Sequence, residues 1–401
     1  MTGGDRPPGR VGWAVLAVGL PALAVAVVAD PSAAGAAGGQ DWTPFVLVTG
    51  LLLLGLVVGD DGLFDAGGRL MARLAPGGWS LFAASAVLVA VVTAVLNLDT
   101  AVTFLTPVLV VAARRRQVDE LPFLYLAVFL ANGASLLLPG SNLTNLIVLG
   151  HRHLSGIAFA ATMFPAWLAA SVTVSVVLAV AFWGRLRRSR PAGTPAPVTP
   201  PEAPLPEMPA GTPSTPSRPR LGVGLVGAVV AVVAVVALGG TAMALVVLGT
   251  GLAVAGCRAA QGRLSVAAVR QTVDVPVLVG LFGLAVALGT LGRAWSGPQW
   301  LLAHTASTGQ AAIGAVSSVL ANNLPAASLL AARTPPDPQA LLVGLNLGPN
   351  LAVTGSLAVV LWFKAARPLG ASASARRYTA LGLAVVPTSM AAALGALALF
   401  H

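Results

Sequence analysis

All eight asparagines of this chain fall in two windows: Asn97, Asn132, Asn142 and Asn145 in the first, and Asn322, Asn323, Asn346 and Asn350 in the second. Both windows are otherwise apolar. A carboxamide in such surroundings must find a hydrogen-bond partner or water, so it faces a cavity or another element. Its oxygen suits a small cation and its two kinds of polar atom suit a hydroxylated solute. The same residues also serve as caps at helix breaks and as glue between helices, and both uses are expected here. Hydroxyls accompany them at Thr100, Thr103, Ser141, Thr144, Thr354 and Ser356. The spacing is nearly matched. Asn132 precedes Ser141 by nine residues and Asn346 precedes Ser356 by ten.

Asp99, two residues after Asn97, reads as the single carboxylate well inside an apolar segment; Asp274 falls at the mouth of its segment and the other acids fall in loops or in the linker. A carboxyl group out of water can take up and release a proton, which is the chemistry of ion coupling. The alternative reading makes Asp99 the N-cap of the helix that follows it. Asp274 reads as a helix N-terminal residue.

The elements that hold these residues are membrane helices. Of the 401 residues, 56% are hydrophobic and 9% are charged, with mean hydropathy +0.86, far from the roughly 25% charge of a soluble domain. Apolar segments fall at about 11 to 29, 43 to 59, 79 to 112, 121 to 150, 157 to 183, 221 to 238, 241 to 257, 274 to 292, 300 to 332, 338 to 363 and 378 to 400. They lack the alternation of a β-barrel. The segments at 79 to 112, 121 to 150, 300 to 332 and 338 to 363 are too long for one span and are interrupted by Asn, Pro, Gly or Asp. The first and third read as re-entrant hairpins with Asn at the tip, the second and fourth as broken helices.

The predicted fold is therefore an all-α polytopic membrane protein of two inverted repeats, each with a re-entrant hairpin and a broken helix, making nine spans and two hairpins. Residues 1–41 form a first transmembrane helix and an external loop at Ser32 to Gly39, 42–183 the first repeat, 184–220 a Pro-rich cytoplasmic linker, and 221–401 the second repeat. With that topology, 20 of the 23 Lys and Arg residues lie inside and only Arg152, Arg293 and Arg333 outside, which puts the N-terminus in the cytoplasm and the C-terminus outside a bacterial inner membrane. The net charge of +10 belongs to these loops and not to a nucleic-acid surface. An alternative reading of the first apolar run as a cleaved signal peptide is disfavoured by its length.

Four stretches carry a family likeness: Asn97-x-Asp99 followed by Thr106-Pro107, Ala131-Asn132-x-Ala134-Ser135 to Ser141-Asn142-Leu143-x-Asn145, Asn322-Asn323-x-Pro325, and Leu347-Gly348-Pro349-Asn350 to Gly355-Ser356-Leu357-Ala358 ahead of Leu361-Trp362. In their order, from about Trp42 to Phe400, the chain resembles the arsenite efflux pumps and their sodium–proton antiporter relatives, in the ion transporter superfamily that includes citrate and dicarboxylate carriers. It departs from the arsenite pattern at Leu98, Gly133 and Pro139-Gly140. The resemblance implies that tips and breaks meet near the bilayer midplane, where Asn97, Asp99, Thr100, Asn132, Ser141, Asn142, Asn145, Asn322, Asn323, Asn346, Asn350, Thr354 and Ser356 form a solute and ion site. Na⁺ would bind at Asn142 and Asn350, and Asp99 would couple to H⁺ or Na⁺.

The expected function is secondary transport of a small inorganic or organic solute across the lipid bilayer, with no other cofactor, no resident metal and no nucleic-acid partner. Arsenite or antimonite export leads, with a Na⁺/H⁺ antiporter and an organic-anion symporter as alternatives; a homodimer is a compatible assembly. No Lys or Arg stands at a tip or break, which disfavours a dicarboxylate. Trihydroxyarsine would be held through its hydroxyls, so the single cysteine, Cys257, does not exclude it. The non-transporter alternative is a membrane-embedded enzyme, but no hydrolase elbow, zincin or Walker motif is present. The run Gly222 to Gly227 matches a dinucleotide fingerprint yet follows no strand, and reads as close helix packing.

Overall fold

The structure is a computed structural model, and it describes residues 10–75, 77–150, 155–187 and 222–400. The expected linker begins as helix, in residues 184–187; its remainder, 188–220, and the loop containing Arg152 lie outside the described residues. Among those described, every regular element is a helix. The first half contains α1 (Arg10–Ala29), α2 (Pro31–Asp60), α3 (Leu63–Leu74), α4 (Gly78–Val95), α5 (Leu98–Arg115), α6 (Leu121–Ala134), α7 (Leu143–Leu149), α8 (Gly156–Ala181) and α9 (Trp183–Arg187). The second contains α10 (Val223–Ala237), α11 (Gly240–Ala260), α12 (Val266–Val273), α13 (Val275–Ala294), α14 (Gly297–Ala303), α15 (Ser307–Ala321), α16 (Asn323–Leu330), α17 (Pro338–Leu347), α18 (Leu357–Ala366) and α19 (Ala375–Phe400). Short 3₁₀ turns at Pro139–Ser141 and Gly348–Leu351 interrupt the paths from α6 to α7 and from α17 to α18.

Seven helical stretches among the described residues are long and apolar enough to cross a membrane. Many of their large apolar side chains are exposed, Val28, Val87, Val180 and Leu383 among them, as lipid-facing residues must be. The protein is a multi-pass membrane protein.

The two interrupted pairs α4–α5 and α15–α16 are hairpins, and side-chain contacts show it. Trp79, at the start of α4, meets Trp183 edge-on, and the turn after α5 is tied to the same region by the Arg185–Asp119 ion pair. Gln310, near the start of α15, accepts a hydrogen bond from Asp337 N (3.0 Å), the N-cap of α17, and Arg333, three residues after α16, donates to Arg293 O (3.0 Å) at the same end. In each pair the two outer ends meet, and α4 itself is among the helices long and apolar enough to cross a membrane.

The hairpins open in opposite directions along α2. A Cβ on Gly55 would press on Thr100 and one on Gly59 on Phe104, so α5 runs parallel to α2 and the first hairpin opens toward the C-terminal end of α2. Gln40, near the other end of α2, donates to the carbonyls of Ile147 (2.9 Å) and of Ala331 (3.1 Å), the residue that follows α16.

One expectation needs correction. The external loop at Ser32 to Gly39 is helix: Asp30 caps α2 through Ala33 N (2.9 Å), and the small residues there pack Ala34 and Ala37 against Val286 of α13. Asp274 stands at the start of α13 as expected but makes no side-chain cap; it accepts from Lys364 Nζ (2.9 Å). The glycine run at the start of α10 is close packing, because Gly224 N donates to buried Asp61 Oδ2 (2.9 Å) and a Cβ on Gly227 would lie 2.7 Å from Leu54. Asp61 also pairs with Arg258. The first helix, α1, is seated on α13 so tightly that a Cβ on Gly19 would lie 2.0 Å from Gly280 O.

Candidate functional site

The sequence cannot continue a helix through either break. Pro139 and Pro349 lack an N–H, and the residues around them are extended: Leu138 has φ −123° and ψ 153°, Ala352 φ −148° and ψ 152°. Backbone groups and helix ends are thereby freed in the interior, and the asparagines satisfy them.

Asn346 is the hub, with no exposed surface. Its Oδ1 accepts from Asn142 Nδ2 (2.6 Å) and from Ser135 Oγ (2.7 Å); its Nδ2 donates to Asn145 Oδ1 (3.0 Å) and to Leu342 O (2.9 Å). Beside it, Asn132 Nδ2 donates to Asn350 Oδ1 (2.8 Å), and Asn350 Nδ2 donates to Phe129 O (3.1 Å). Asn145 Nδ2 ties off the carbonyls of Ser135 (2.8 Å) and Leu138 (3.0 Å). Five asparagines from two distant windows thus form one buried network that joins the first break to the second.

Each hairpin tip rests on the break of its own half. In the first half Ser141 Oγ donates to Ala94 O (3.1 Å), at the end of α4. In the second, Asn323 N donates to Gly355 O (2.9 Å), Asn322 Nδ2 to Thr354 O (3.3 Å) and Thr354 Oγ1 to Val319 O (2.9 Å). Asn322 has φ 69° and ψ 148°, a positive-φ extended conformation that costs a side-chain-bearing residue strain.

Asn97, not Asp99, caps α5: its Oδ1 accepts from Thr100 N (2.7 Å). This removes the capping role expected as the alternative for Asp99. Asp99 is 6% exposed, in the first turn of α5 where the helix dipole favours negative charge. Among the described residues no side chain hydrogen-bonds its carboxyl, and it is not wired into the asparagine network.

Several buried oxygens are left without a partner: Thr93, Thr100 and Thr144 Oγ1 and Asn132 Oδ1 in the first half, Asn323 Oδ1 and Ser356 Oγ in the second. These are the atoms with spare capacity for a cation or solute. The Oδ1 atoms of Asn142 and Asn350, the expected Na⁺ ligands, already accept from Thr144 N (3.2 Å) and Asn132 Nδ2 (2.8 Å) respectively. No Lys or Arg side chain among the described residues hydrogen-bonds any member of the network.

Two members escaped the sequence reading. Ser135 stands between Asn142 and Asn346. Tyr378 of α19, fully buried, directs its hydroxyl to Pro349 O (3.1 Å) beside Asn350 Oδ1 (3.3 Å). Its ring completes an aromatic cluster with Phe129, Trp362 and Tyr125 that clamps the two halves together. A third omission concerns the claim that Asp99 is the single embedded carboxylate. Asp41 lies in the eleventh position of the 30-residue α2 and is 1% exposed.

Over 98% of both chains the fold is similar to the crystal structure of the YdaH transporter of Alcanivorax borkumensis, described as having an unusual topology, with a TM-score of 0.54 at 16% identity. Over 143 residues the chain is 31% identical to the silicon efflux transporter LSI3 of Oryza sativa subsp. japonica, a match that takes in 35% of this chain and about 30% of that protein's length. Residues 10–348 match the citrate transporter family CitMHS. A match across most of a multi-pass chain with paired broken helices shows that this protein is a membrane transporter belonging to the CitMHS family.

Proposed function

We propose that this chain is an ion-coupled secondary transporter that exports a small, uncharged, polyhydroxylated acid, arsenite or antimonite first among them, by alternating access between two inverted repeats. The observation that carries this reading is the composition of the joined breaks: carboxamides and hydroxyls meet there with no basic side chain bonded to them. A citrate or dicarboxylate ion brought into such a site would lack a fixed counter-charge, at a cost of several kcal/mol per uncompensated ion. A neutral As(OH)₃ needs only donors and acceptors. The relative named for silicon efflux fits the same chemistry, since silicon in neutral water is the uncharged Si(OH)₄.

The expected result of expression in an arsenite-sensitive bacterial host is raised tolerance to arsenite or antimonite. Unchanged tolerance with restored growth in high sodium would move the reading to the Na⁺/H⁺ antiporter, which the unpartnered oxygens of Asn132, Thr100 and Thr144 favour as cation ligands. Citrate uptake into energised vesicles with neither effect would move it to the organic-anion symporter.

Orientation in a bacterial inner membrane is tested separately. Because 20 of 23 basic residues sort to one side, a reporter fused after Arg190 reports from the cytoplasm and one fused after Arg152 from outside. Reversed reporters would remove the inverted-repeat topology.

A further inference from the structure

Neither oxygen of the Asp41 carboxyl has a hydrogen-bond partner, although both are buried. Asp41 lies about 15 Å along a helix about 45 Å long. Its surroundings are built around a notch. At Gly289 of α13 a Cβ would lie 3.0 Å from Ala37 of α2 and 3.6 Å from Ser328 of α16, so α13 brings the second arm of the second hairpin next to α2. Because Phe45 meets Phe282 where Ala37 meets Gly289, α2 and α13 run antiparallel; Asp41 stands one turn to one side of this contact and Arg293 one turn to the other, its guanidinium folded back to Gly289 O (2.9 Å) and to Gln40, the neighbour of Asp41 (2.6 Å).

An ionised Asp41 would be expected to draw both polar neighbours to itself. Neither is committed to it. Ser328, beside Gly289, donates its hydroxyl to Leu324 O (3.3 Å). Arg293, half-buried and folded back toward Gly289, makes its hydrogen bonds to Gly289 O (2.9 Å), Gln40 Oε1 (2.6 Å) and Ala36 O (3.4 Å). Arg333, farther out, donates to Arg293 O (3.0 Å) and does not reach Asp41. A buried carboxylate without donors is among the most expensive groups a fold can hold, whereas the neutral acid costs far less.

We propose that Asp41 is a proton-binding site separate from Asp99, holding its proton in the conformation seen here and releasing it to water at the outer side when α16 moves away and Arg293 is freed to pair with the carboxylate. The balance is simple: the O–H bond of the carboxyl breaks, the proton goes to external water, and Arg293 supplies the counter-charge. The inference concerns a proton and stands whatever solute the protein carries.

Infrared difference spectroscopy on the purified full-length protein at neutral pH, in H₂O and D₂O, tests it without any solute. A protonated carboxyl gives an acid carbonyl band that shifts on deuteration, apart from the carboxylate bands. The expected result is that Asp41→Asn loses one such component that Asp99→Asn retains, and that this component shifts after transfer to D₂O while the protein stays folded. A spectrum unchanged by Asp41→Asn, or a component that shifts only on unfolding, would overturn the proposal. Arg293→Gln gives an independent reading should Asp41→Asn fail to fold. The acid band is expected to keep its intensity in that variant, and growth by one carboxyl would show that Asp41 had been a carboxylate paired with Arg293.

Discussion

Replacing Asn346 with Ala is expected to abolish transport and to lower the apparent melting temperature of the detergent-purified protein by on the order of 5 °C. The side chain makes four hydrogen bonds, three to residues of the first break and one to its own helix. Without it Asn145 Oδ1 has no partner, and Asn142 Nδ2 keeps only a 3.3 Å contact with Ser135. Each buried group left unsatisfied costs roughly 1–3 kcal/mol, so the loss sums to several kcal/mol. Asn322→Gly is the comparison: that side chain is half-buried, its two hydrogen bonds are both 3.3 Å long, and glycine accepts the positive φ of this capping position, so the stability change stays within about 1 kcal/mol. Equal melting temperatures for the two variants would mean that Asn346 does not join the halves.

The asparagine windows were legible because their physics is local. A carboxamide amid valines and leucines is costly unless something uses it, and Pro and Gly at fixed offsets mark where a helix must stop. Both hairpins and both breaks follow from that reasoning, down to Asn322 at the second tip.

What the sequence did not reveal is which polar groups bond to which. Asn132 and Asn350 are 218 positions apart, and nothing local says that one amide will donate to the other rather than to a solute. Ser135 and Tyr378 were overlooked because hydroxyls in membrane helices commonly bond to the preceding turn, as Thr103 and Thr106 do here; their long-range partners appear only when the halves are packed.

Asp41 was missed for a different reason. The stretch Ala33 to Gly39 is rich in Ala and Gly and reads as a loop, but in a membrane bundle small residues are what let helices approach. Here they seat α2 against α13, and the helix carries Asp41 inward with it. The role of Asp99 turned on one atom, since Asn97 Oδ1 already caps α5 and leaves the carboxyl of Asp99 free of that duty.

Asp99→Asn is therefore expected to fold normally and to lose gradient-driven transport. The substitution keeps the size of the side chain, and the cap at Asn97 is untouched, so helix α5 still forms. What disappears is the group that can exchange a proton or attract a cation at the tip. Flux in proteoliposomes with and without an imposed pH or sodium gradient is the most direct measurement of an ion-coupled transporter built on these tips and breaks. The wild-type protein should concentrate solute under the gradient, and Asp99→Asn should only exchange it down its own gradient, with concentrative flux reduced about a hundredfold or more, in the range expected for removal of an essential proton-transfer group. Asp274→Asn, which disturbs only the surface pair with Lys364, should retain most of the wild-type stimulation. Equal gradient stimulation in wild type and Asp99→Asn would contradict coupling at Asp99.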